Sequence, residues 1–586
     1  MGNSFNHTPI VRVKGKEQEC FSGWQQIGEE LNRALASLSS EKKILVVETN
    51  QGVYLEDLKI QLSDILQPAL LLDTAELFKS EAEIRELTWS DVTDDRVFGY
   101  LSRLNMIDLM DREKLDGACI RLGEPEGQTV MVFGYGASLV CSDPDFLVYA
   151  DMARWEIQQR MRRHEVDNLG IKNREEAWEL QYKRGYFVDW RICDRVKKTT
   201  MEQWDFVLDS NRRENPKLAT GEAVREGLRQ AAQRPFSVVP FFDPGPWGGQ
   251  WMKEKFGLDP ERSNFAWCFN CIPEENSLLL GFGTSTFEIP SINLVFYQAR
   301  ELLGDPVHGI FGEEFPIRFD FLDTMEGGNL SLQVHPLTAY IQEKFGMHYT
   351  QDESYYMLDA EEDASVFLGL KEGIDPTKMS RDLRISEKEG TAFDAGKYVE
   401  NWPAKKHDHF LIPAGTIHCS GRNGMVLEIS ATPYIFTFKL YDWGRLNMDG
   451  KPRPINVVHG LKNIQWDRTT EWTRDNLVNR VELVEEGDGW REERTGLHKR
   501  EFIETRRHWF TKKVYHKTGG SVNVLNLVEG GEVIVESPEQ AFEPFIVHYA
   551  ETFIVPDAVG TYTIRPHGPS EGQECATVKA YIRTRP

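Results

Sequence analysis

The stretch LSLQVHP, from Leu330 to Pro336, decides the fold of the carboxy-terminal part of the chain. Alternate side chains of a β-strand share one face, so Gln333 and His335 point to the same side of this strand. Pro336 has no N–H group for a sheet ladder and therefore ends the strand. An imidazole and an amide oxygen two residues apart on an inward face predict half of a metal site inside a β-barrel.

Two further elements follow in order and complete the set. Glu353 stands in QDESYYMLD, where Tyr355 shares its face, and the stretch IPAGTIH predicts a tight turn at Pro413 to Gly415 before His418. A Pro-x-Gly-x-x-His pattern after an apolar strand is the second metal motif of cupins. Two imidazoles, one carboxylate and one amide oxygen suit Zn²⁺ and accept Mn²⁺, Co²⁺ or Fe²⁺. The alternative is a pair of hydrogen-bonded core histidines and a surface glutamate.

Short strands separated by Gly, Pro and Asp turns continue on both sides of these motifs. A first series includes FPIRFDFLDT, ASVFLGL and GMVLEIS, and a second includes SVNVLNLVEG and ETFIVPD. Strands of this length and spacing are typical of jelly rolls and barrels, and two series predict two copies of one barrel. The turn of the second series, FIVPDAVGTYTI, carries Tyr562 and no His. We therefore predict a metal-binding barrel at 236–470 and a metal-free barrel at 471–586.

The first 235 residues have a different pattern, in which strands and helices alternate. ILVVE (Ile44 to Glu48) is typical of a buried parallel strand, and the helix-like LEDLKIQLSDIL follows it after a polar turn. Four prolines in PFSVVPFFDPGPWGG predict a domain boundary just after Arg234. The predicted fold class is thus a multidomain α/β plus all-β chain.

Composition narrows the classes of function. The formal net charge is −24 and 40% of the residues are hydrophobic, which disfavours nucleic acid and anionic membranes as partners and favours a soluble domain with a small-molecule ligand. The first residues lack the apolar core of a signal peptide. The eight cysteines are scattered, which favours reduced thiols and a cytoplasmic location.

Four motifs in sequence order resemble class I mannose-6-phosphate isomerases of the short bacterial type. These are PGPWGGQWMKEKFGL, FLDTMEGGNLSLQVHP, IPAGTIH and KLYDWGR, and the resemblance covers about residues 235–586. It implies a double-cupin fold and a metal-dependent aldose–ketose isomerase that acts on a hexose or hexose phosphate through a cis-enediol. It also implies functional residues: the metal ligands Gln333, His335, Glu353 and His418, the transition-state cation Arg445 and the acidic residue Glu428. We take Glu428 as the candidate base and His409 as its reserve.

The sequence departs from the family pattern at positions that concern the substrate. Asp320 stands where a Lys is usual, Lys439 stands where an Arg is usual, and NFAWCFN replaces a GESWE-like segment. Losing cations weakens attraction for a phosphate dianion, so we expect no strong preference for phosphorylated over neutral hexoses. The alternative is that Asp320 faces outward, pairs with Arg318 or Lys439, and leaves phosphate to be held elsewhere. Rival functions are a non-catalytic sugar-binding or regulatory cupin and another cupin enzyme such as an epimerase.

The amino-terminal part loosely resembles uridine-kinase-like P-loop proteins over about residues 40–200. A working phosphate loop needs several glycines, a Lys and a Ser or Thr, whereas here Gly52 stands alone before Val53 and Tyr54. We therefore expect a degenerate domain without nucleotide hydrolysis. The Arg-rich stretch MARWEIQQRMRR contains side chains that fit an anion, a neighbouring subunit in a homo-oligomer, or a solvated helix face: Arg154, Arg160, Arg162 and Arg163.

Overall fold

The structure is a computed structural model that describes residues 5–124, 128–431, 434, 436–447, 450, 453–496 and 498–584. The chain forms two compact units. The α/β unit comprises Ile10–Ala231 and Ser277–Tyr297, and the β unit comprises the residues up to Pro9, Ala232–Asn276 and everything from Gln298 onward. A single boundary near residue 235 is therefore incomplete, because the hairpin within Ser277–Tyr297 returns to the α/β unit.

The α/β unit alternates strands and helices, numbered here along the whole chain. Its strands are β1 (Ile10–Arg12), β2 (Cys20–Ser22), β3 (Lys43–Thr49), β4 (Leu70–Asp73), β5 (Thr129–Gly134), β6 (Phe146–Asp151), β7 (Phe206–Asp209), β8 (Lys217–Thr220), β11 (Ser277–Phe282) and β12 (Ser285–Pro290). Its α-helices are α1 (Gly23–Ser37), α2 (Leu55–Leu66), α3 (Glu81–Val92), α4 (Arg112–Gly123), α5 (Ala137–Val140), α6 (Arg154–Arg162), α7 (Trp178–Arg184), α8 (Trp190–Thr200), α9 (Gly221–Ala231) and α11 (Ile292–Tyr297). Short 3₁₀ turns lie at Thr74–Leu77, Met106–Leu109 and Met201–Gln203, and a π turn lies at Gly185–Asp189.

The main sheet of this unit has the order β2-β8-β7-β6-β3-β5-β4, in which β4, β5, β3, β6 and β7 are parallel and β8 and β2 are antiparallel. β3 lies at its centre because its apolar, β-branched run is buried on both faces. A second, three-stranded sheet has the order β1-β11-β12, and Ile10 pairs with Leu279.

The β unit begins with a barrel of two facing sheets, the first barrel. Its strands are β9 (Phe241–Asp243), β10 (Trp267–Cys271), β13 (Arg318–Asp323), β14 (Leu332–Val334), β15 (Glu353–Ala360), β16 (Ser365–Leu370), β17 (Val399–Pro403), β18 (His409–Ile412), β19 (His418–Ser420), β20 (Gly424–Ser430) and β21 (Phe438–Tyr441). The large sheet has the order β18-β15-β20-β13-β10-β9 and the small sheet β17-β16-β19-β14-β21. The helices around it are α10 (Trp251–Phe256), α12 (Ala299–Leu303), α13 (Asp305–Phe311), α14 (Thr338–Phe345), α15 (Pro376–Glu389), α16 (Ala395–Tyr398), α17 (Val457–Leu461) and α18 (Thr470–Asn476).

The second barrel repeats this plan. Its strands are β22 (Glu482–Gly487), β23 (Trp490–Gly496), β24 (Ile503–Phe510), β25 (Val514–Lys517), β26 (Asn523–Glu529), β27 (Glu532–Glu536), β28 (Phe545–His548), β29 (Thr552–Val555), β30 (Thr561–Pro566) and β31 (Cys575–Ile582), with 3₁₀ turns at Asp557–Val559 and Gly568–Ser570. The two sheets have the orders β22-β23-β24-β31-β26-β29 and β25-β30-β27-β28. Apart from β21, each strand of the first barrel has a counterpart at the same place in the second.

Candidate metal centre

Three side chains of the first barrel converge on one point from its two sheets. His335 Nε2 lies 3.1 Å from Glu353 Oε2, and His418 Nε2 lies 2.7 Å from Glu353 Oε1. Possible ligand atoms of the three residues all lie within 4.8 Å of one another, and the side chains are fully buried. Gln333 pairs with His418 across β14 and β19, and its Nε2 atom is 3.1 Å from His418 Nε2. The amide presents its oxygen instead by a half-turn. The structure thus brings together all four predicted ligands.

The chemistry of these donors fits a divalent cation. His335 Nε2 and Glu353 Oε1 are buried and form no hydrogen bond to any part of the chain that the structure describes. The opposite ring nitrogens are engaged, His335 Nδ1 with the Phe436 carbonyl at 2.8 Å and His418 Nδ1 with the Thr416 carbonyl at 2.9 Å. An imidazole that donates from Nδ1 keeps its Nε2 lone pair for a metal. Two lone pairs and a carboxylate therefore face one point.

Electrostatics favour the ionised carboxylate at this point. Burial opposes ionisation of Glu353, but the neighbouring His335 and His418 hold the pKa of its carboxyl well below the usual range. A carboxylate that stays charged in a buried place needs compensating positive charge. A bound cation provides that compensation when the imidazoles are neutral.

Gln351 is a functional residue that the sequence did not single out. Its Nε2 donates to Glu353 Oε2 at 3.0 Å, and its Oε1 accepts from the Phe436 N–H at 2.9 Å. The Phe436 carbonyl in turn receives His335. Gln351 therefore fixes the orientation of two ligands at once. Its place two residues before Glu353, on the same strand face, is the signal that would have found it.

Arg468 holds the turn that presents His418. Its side chain is buried, and Nη1 lies 2.7 Å from the Pro413 carbonyl and 2.8 Å from the Ala414 carbonyl. The same nitrogen donates to the Thr416 hydroxyl. Since the Thr416 carbonyl receives His418 Nδ1, Arg468 acts on the ligand through the turn. No sequence motif points to a residue 50 positions beyond the ligand that it positions.

We expect Arg468→Met to weaken metal binding by about 10–100-fold, the usual range for a group that orients a ligand. Arg468→Lys should recover part of the affinity, because one ammonium replaces part of the guanidinium fork. Competition between the protein and a chromogenic chelator for Co²⁺ measures the effect. Arg474→Met, which changes an exposed arginine of α18, is the control. Equal affinities in Arg468→Met and wild type would show that the turn holds itself.

A buried pair of carboxyl groups lies on the metal face of the large sheet. Asp320 pairs with Glu428 across β13 and β20, and Glu428 pairs with Tyr355, which shares the face of Glu353. Burial, with the charges of Asp320 and Glu353, raises the pKa of Glu428 well above its usual value. Arg318 contacts Asp320 at 3.3 Å. Asp320 thus pairs with Arg318, but it is buried on the inner face rather than facing outward, because its strand carries it beside Glu428.

A cationic cluster lies on the small sheet. Lys439 pairs with Gln333 across β14 and β21, which places both on the same face. Asp442 binds Arg445 at 2.6 Å and Arg453 at 2.9 Å, so three cations share one carboxylate. Burial, with Arg453 close by, lowers the pKa of Lys439 to about 7. Arg445 also donates to the Asn329 carbonyl. The predicted Arg445 therefore belongs to a cluster that includes the unpredicted Arg453.

His409 does not join the site. It pairs with Tyr356 across β18 and β15, and Tyr356 points away from the face of Glu353 and Tyr355. Its ring is buried against Tyr356, and burial lowers its pKa to about 3. The reserve role assigned to His409 as a base is therefore corrected, because one residue along a strand reverses the face.

The loop after β3 in the α/β unit is held by protein groups. Arg160 Nη1 donates to the Gly52 carbonyl at 2.8 Å, and a Cβ on Gly52 would lie 2.8 Å from Ile157. Arg154 binds Asp194 at 2.6 Å, and Arg163 binds Glu156 at 2.8 Å. Three of the predicted anion-binding arginines are thus already paired within the unit, which favours a structural role for them.

The comparisons with known proteins agree with the two-part organisation. A family model described as "Domain of unknown function (DUF8485)" matches residues 23–233. The chain is 27% identical over 217 residues to a mannose-6-phosphate isomerase of Streptococcus mutans, covering 37% of this chain and 63% of that protein. It is 24% identical over 236 residues to a mannose-6-phosphate isomerase of Bacillus subtilis, covering 39% of this chain and 68% of that protein. The match thus spans about two thirds of the length of these relatives.

Solved structures of the same class of enzyme match the fold. A mannose 6-phosphate isomerase from Bacillus subtilis is 19% identical, with a TM-score of 0.49, and the match covers 60% of this chain and all of that one. A phosphomannose isomerase variant from Salmonella typhimurium is 12% identical, with a TM-score of 0.45 and a coverage of 60% and 99%. The chain is therefore homologous to mannose-6-phosphate isomerases over about 39% of its length. No helix of the described ranges is long and apolar enough to cross a membrane.

Proposed function

We propose that the first barrel is a metal-dependent aldose–ketose isomerase acting on a hexose phosphate. One observation carries the proposal: the four candidate ligands lie between a buried carboxyl pair on the large sheet and a cationic cluster on the small sheet. Proton transfer between C1 and C2 needs a base, and the enediolate and phosphate need positive charge. Homology to mannose-6-phosphate isomerases supports the same class of reaction.

Each part of the site has a role in this proposal. Gln333, His335, Glu353 and His418 hold the metal, most plausibly Zn²⁺, which supplies Lewis acidity toward the substrate oxygens when bound. Glu428 removes the proton from C2 of the aldose and returns it to C1, with the reverse order from the ketose. Arg445 offsets the negative charge that develops on the enediolate oxygen. Tyr355, whose hydroxyl is buried without a partner in the described chain, faces the same space.

The cationic cluster changes the expectation for substrate charge. The sequence suggested a loss of phosphate binding because Asp320 replaces a Lys. In the structure Asp320 is already paired with Arg318, whereas Lys439, Arg445 and Arg453 exceed their single shared carboxylate Asp442. This supports the alternative in which phosphate is held elsewhere than at Asp320. We therefore propose a phosphorylated hexose as the substrate.

We expect Lys439→Met to lower kcat/KM for a hexose 6-phosphate by about 10–100-fold, the loss typical of one charge-assisted hydrogen bond. Turnover of the neutral hexose should hardly change. Steady-state assays of both sugars with metal-loaded protein measure the difference. Lys405→Met, an exposed lysine of the same barrel, is the control. A parallel loss for both sugars would show that Lys439 supports the fold or the metal rather than the phosphate.

Solvent deuterium incorporation tests the reaction itself. Metal-loaded protein is incubated in D₂O with a panel of free and phosphorylated aldoses and ketoses, and NMR locates the label. Label at C1 or C2 with interconversion of the two sugars supports the proposal. Label at another carbon indicates an epimerase. Saturable sugar binding without label or product contradicts catalysis and leaves a non-catalytic sugar-binding or regulatory cupin.

We propose a non-hydrolytic role for the α/β unit. Its strand order and the helix after β3 are compatible with the resemblance to P-loop proteins, but the groups available to an anion there are taken by the protein. Glu48 accepts from the Gly136 N–H at 2.6 Å and from Ser138 N and Oγ at 2.8 Å. We keep residues 236–470 and 471–586 as the proposed extents of the catalytic and second barrels.

A further inference from the structure

The second barrel contains a polar cluster at the place that corresponds to the reactive centre of the first. Asn523 begins β26 as Glu353 begins β15, and each pairs with the last residue of the neighbouring strand, Val555 or Ile412. Two residues further along, Leu525 corresponds to Tyr355. Leu525 pairs with Lys579, and Tyr355 pairs with Glu428. Lys579 therefore stands at the position of Glu428.

The charges at these corresponding positions are reversed. Lys579 pairs with Arg506 across β31 and β24, as Glu428 pairs with Asp320 across β20 and β13. Two cationic side chains thus replace two carboxyl groups. The cluster has two carboxylates of its own, but both bind Arg506: Glu504 at 2.7 Å and Glu492 at 3.1 Å. Within the described ranges Lys579 has no such ion pair, so it is the uncompensated charge.

Unpartnered polar atoms surround this lysine. Both ring nitrogens of His516, the Tyr562 hydroxyl and the Thr577 hydroxyl are buried without a hydrogen-bond partner in the described chain. His516 pairs with Tyr562 across β25 and β30, the counterparts of β14 and β19, and their rings stack. Tyr562 lies in the core between the two sheets, and Thr577 is two residues from Lys579 on the same face. A buried polar atom without a partner normally binds water, an ion or a ligand.

The ionic states make these groups donors rather than metal ligands. Burial lowers the pKa of Lys579 to about 8, which leaves the ammonium charged at neutral pH. Burial also keeps His516 neutral, so its ring carries one N–H, and raises the pKa of Tyr562, which keeps its O–H. His508 donates its Nε2–H to Glu492 at 3.0 Å and is turned to that carboxylate. A cation is disfavoured beside Lys579 and Arg506, whereas an oxyanion meets one ammonium and several neutral donors.

We infer that the second barrel binds a small oxyanion, a phosphate or carboxylate group, through Lys579, Tyr562, His516 and Thr577. Arg506, whose side chain is 25% exposed, marks the end of the barrel that reaches solvent. The site does not depend on the reaction of the first barrel. It converts the second copy of the fold from a cation centre into an anion centre by exchanging carboxyl groups for amines at matched positions.

Calorimetric titration of the full-length protein with inorganic phosphate, and separately with acetate, tests the inference. We expect saturable phosphate binding that Tyr562→Phe weakens about tenfold and Lys579→Met at least as much. Tyr562→Phe removes only an unpartnered hydroxyl, so it should fold normally. Lys517→Met and Tyr515→Phe change the outward residues of the same strand and should leave binding intact. Acetate binding at the same site would extend the ligand class to carboxylates.

The His335→Ala/His418→Ala variant separates this site from the first barrel. Phosphate binding that survives in this variant and is lost on adding Lys579→Met supports the inference, whatever the outcome for isomerase activity. Phosphate binding that disappears with the two histidines alone belongs to the first barrel and overturns it. No saturable binding in any form, with a melting temperature independent of phosphate, also overturns it and leaves ordered water as the partner of these groups.

Discussion

We expect the His335→Ala/His418→Ala variant to lose nearly all of its bound divalent metal and all measurable isomerase activity. The protein purified without added metal should carry about one ion per chain, as expected for a single site with four ligands. The two substitutions remove both imidazoles, which leaves Glu353 and Gln333 as the remaining donors. Neither of these provides the nitrogen ligands that Zn²⁺ binds tightly.

Elemental analysis of both proteins, purified side by side, measures the metal. His409→Gln is the matched control, because His409 is a buried histidine of the same barrel that lies on the opposite face of β18. It should retain the metal of the wild type. Equal metal content in wild type and the double variant would rule out the site. Metal loss in His409→Gln as well would show that disturbing the barrel, rather than removing ligands, releases the ion.

The metal ligands could be predicted because local patterns determine them. The two-residue spacing of Gln333 and His335 puts both on one face, and a proline and a tight turn set the neighbouring strand ends. His409 was misplaced for the same kind of reason: near a strand end, one residue of register decides between the inner and outer face. Its position could be decided only from the pairing with Tyr356, which no local pattern contains.

The partners of the site were harder to predict because they depend on long-range pairing. Arg468 reaches the turn before His418 from about 50 residues away, and Arg453 shares Asp442 with Arg445 through a loop. The fold shows the same limit. The strands β3 and β6 and the helix α2 follow their hydrophobic patterns closely, whereas β11 pairs with β1 across some 270 residues. A local pattern gives the strand but not the unit to which it returns.

Glu428→Gln should lower kcat by about 10²–10⁴-fold, the usual contribution of a general base, while the metal content stays that of the wild type. The amide is nearly isosteric with the carboxyl group but cannot accept the proton from C2. The raised pKa of Glu428 also fixes the sign of the pH dependence. Activity of the wild type should fall as the pH drops through that raised pKa, because the base becomes protonated, and the residual activity of Glu428→Gln should lack this limb.

Stability offers an independent check on the same variant. A carboxyl group whose pKa is raised by folding costs stability once the pH rises above its unfolded value, because ionisation is then easier in the unfolded chain. Metal-free Glu428→Gln should therefore be no less stable than metal-free wild type at neutral pH. Asp359→Asn, at the far end of β15 where Asp359 accepts from Trp251, is the matched control and should keep full turnover. If Glu428→Gln loses its metal or retains wild-type kcat, Glu428 is not the base, and Asp320, its cross-strand neighbour, becomes the carboxyl group to change next.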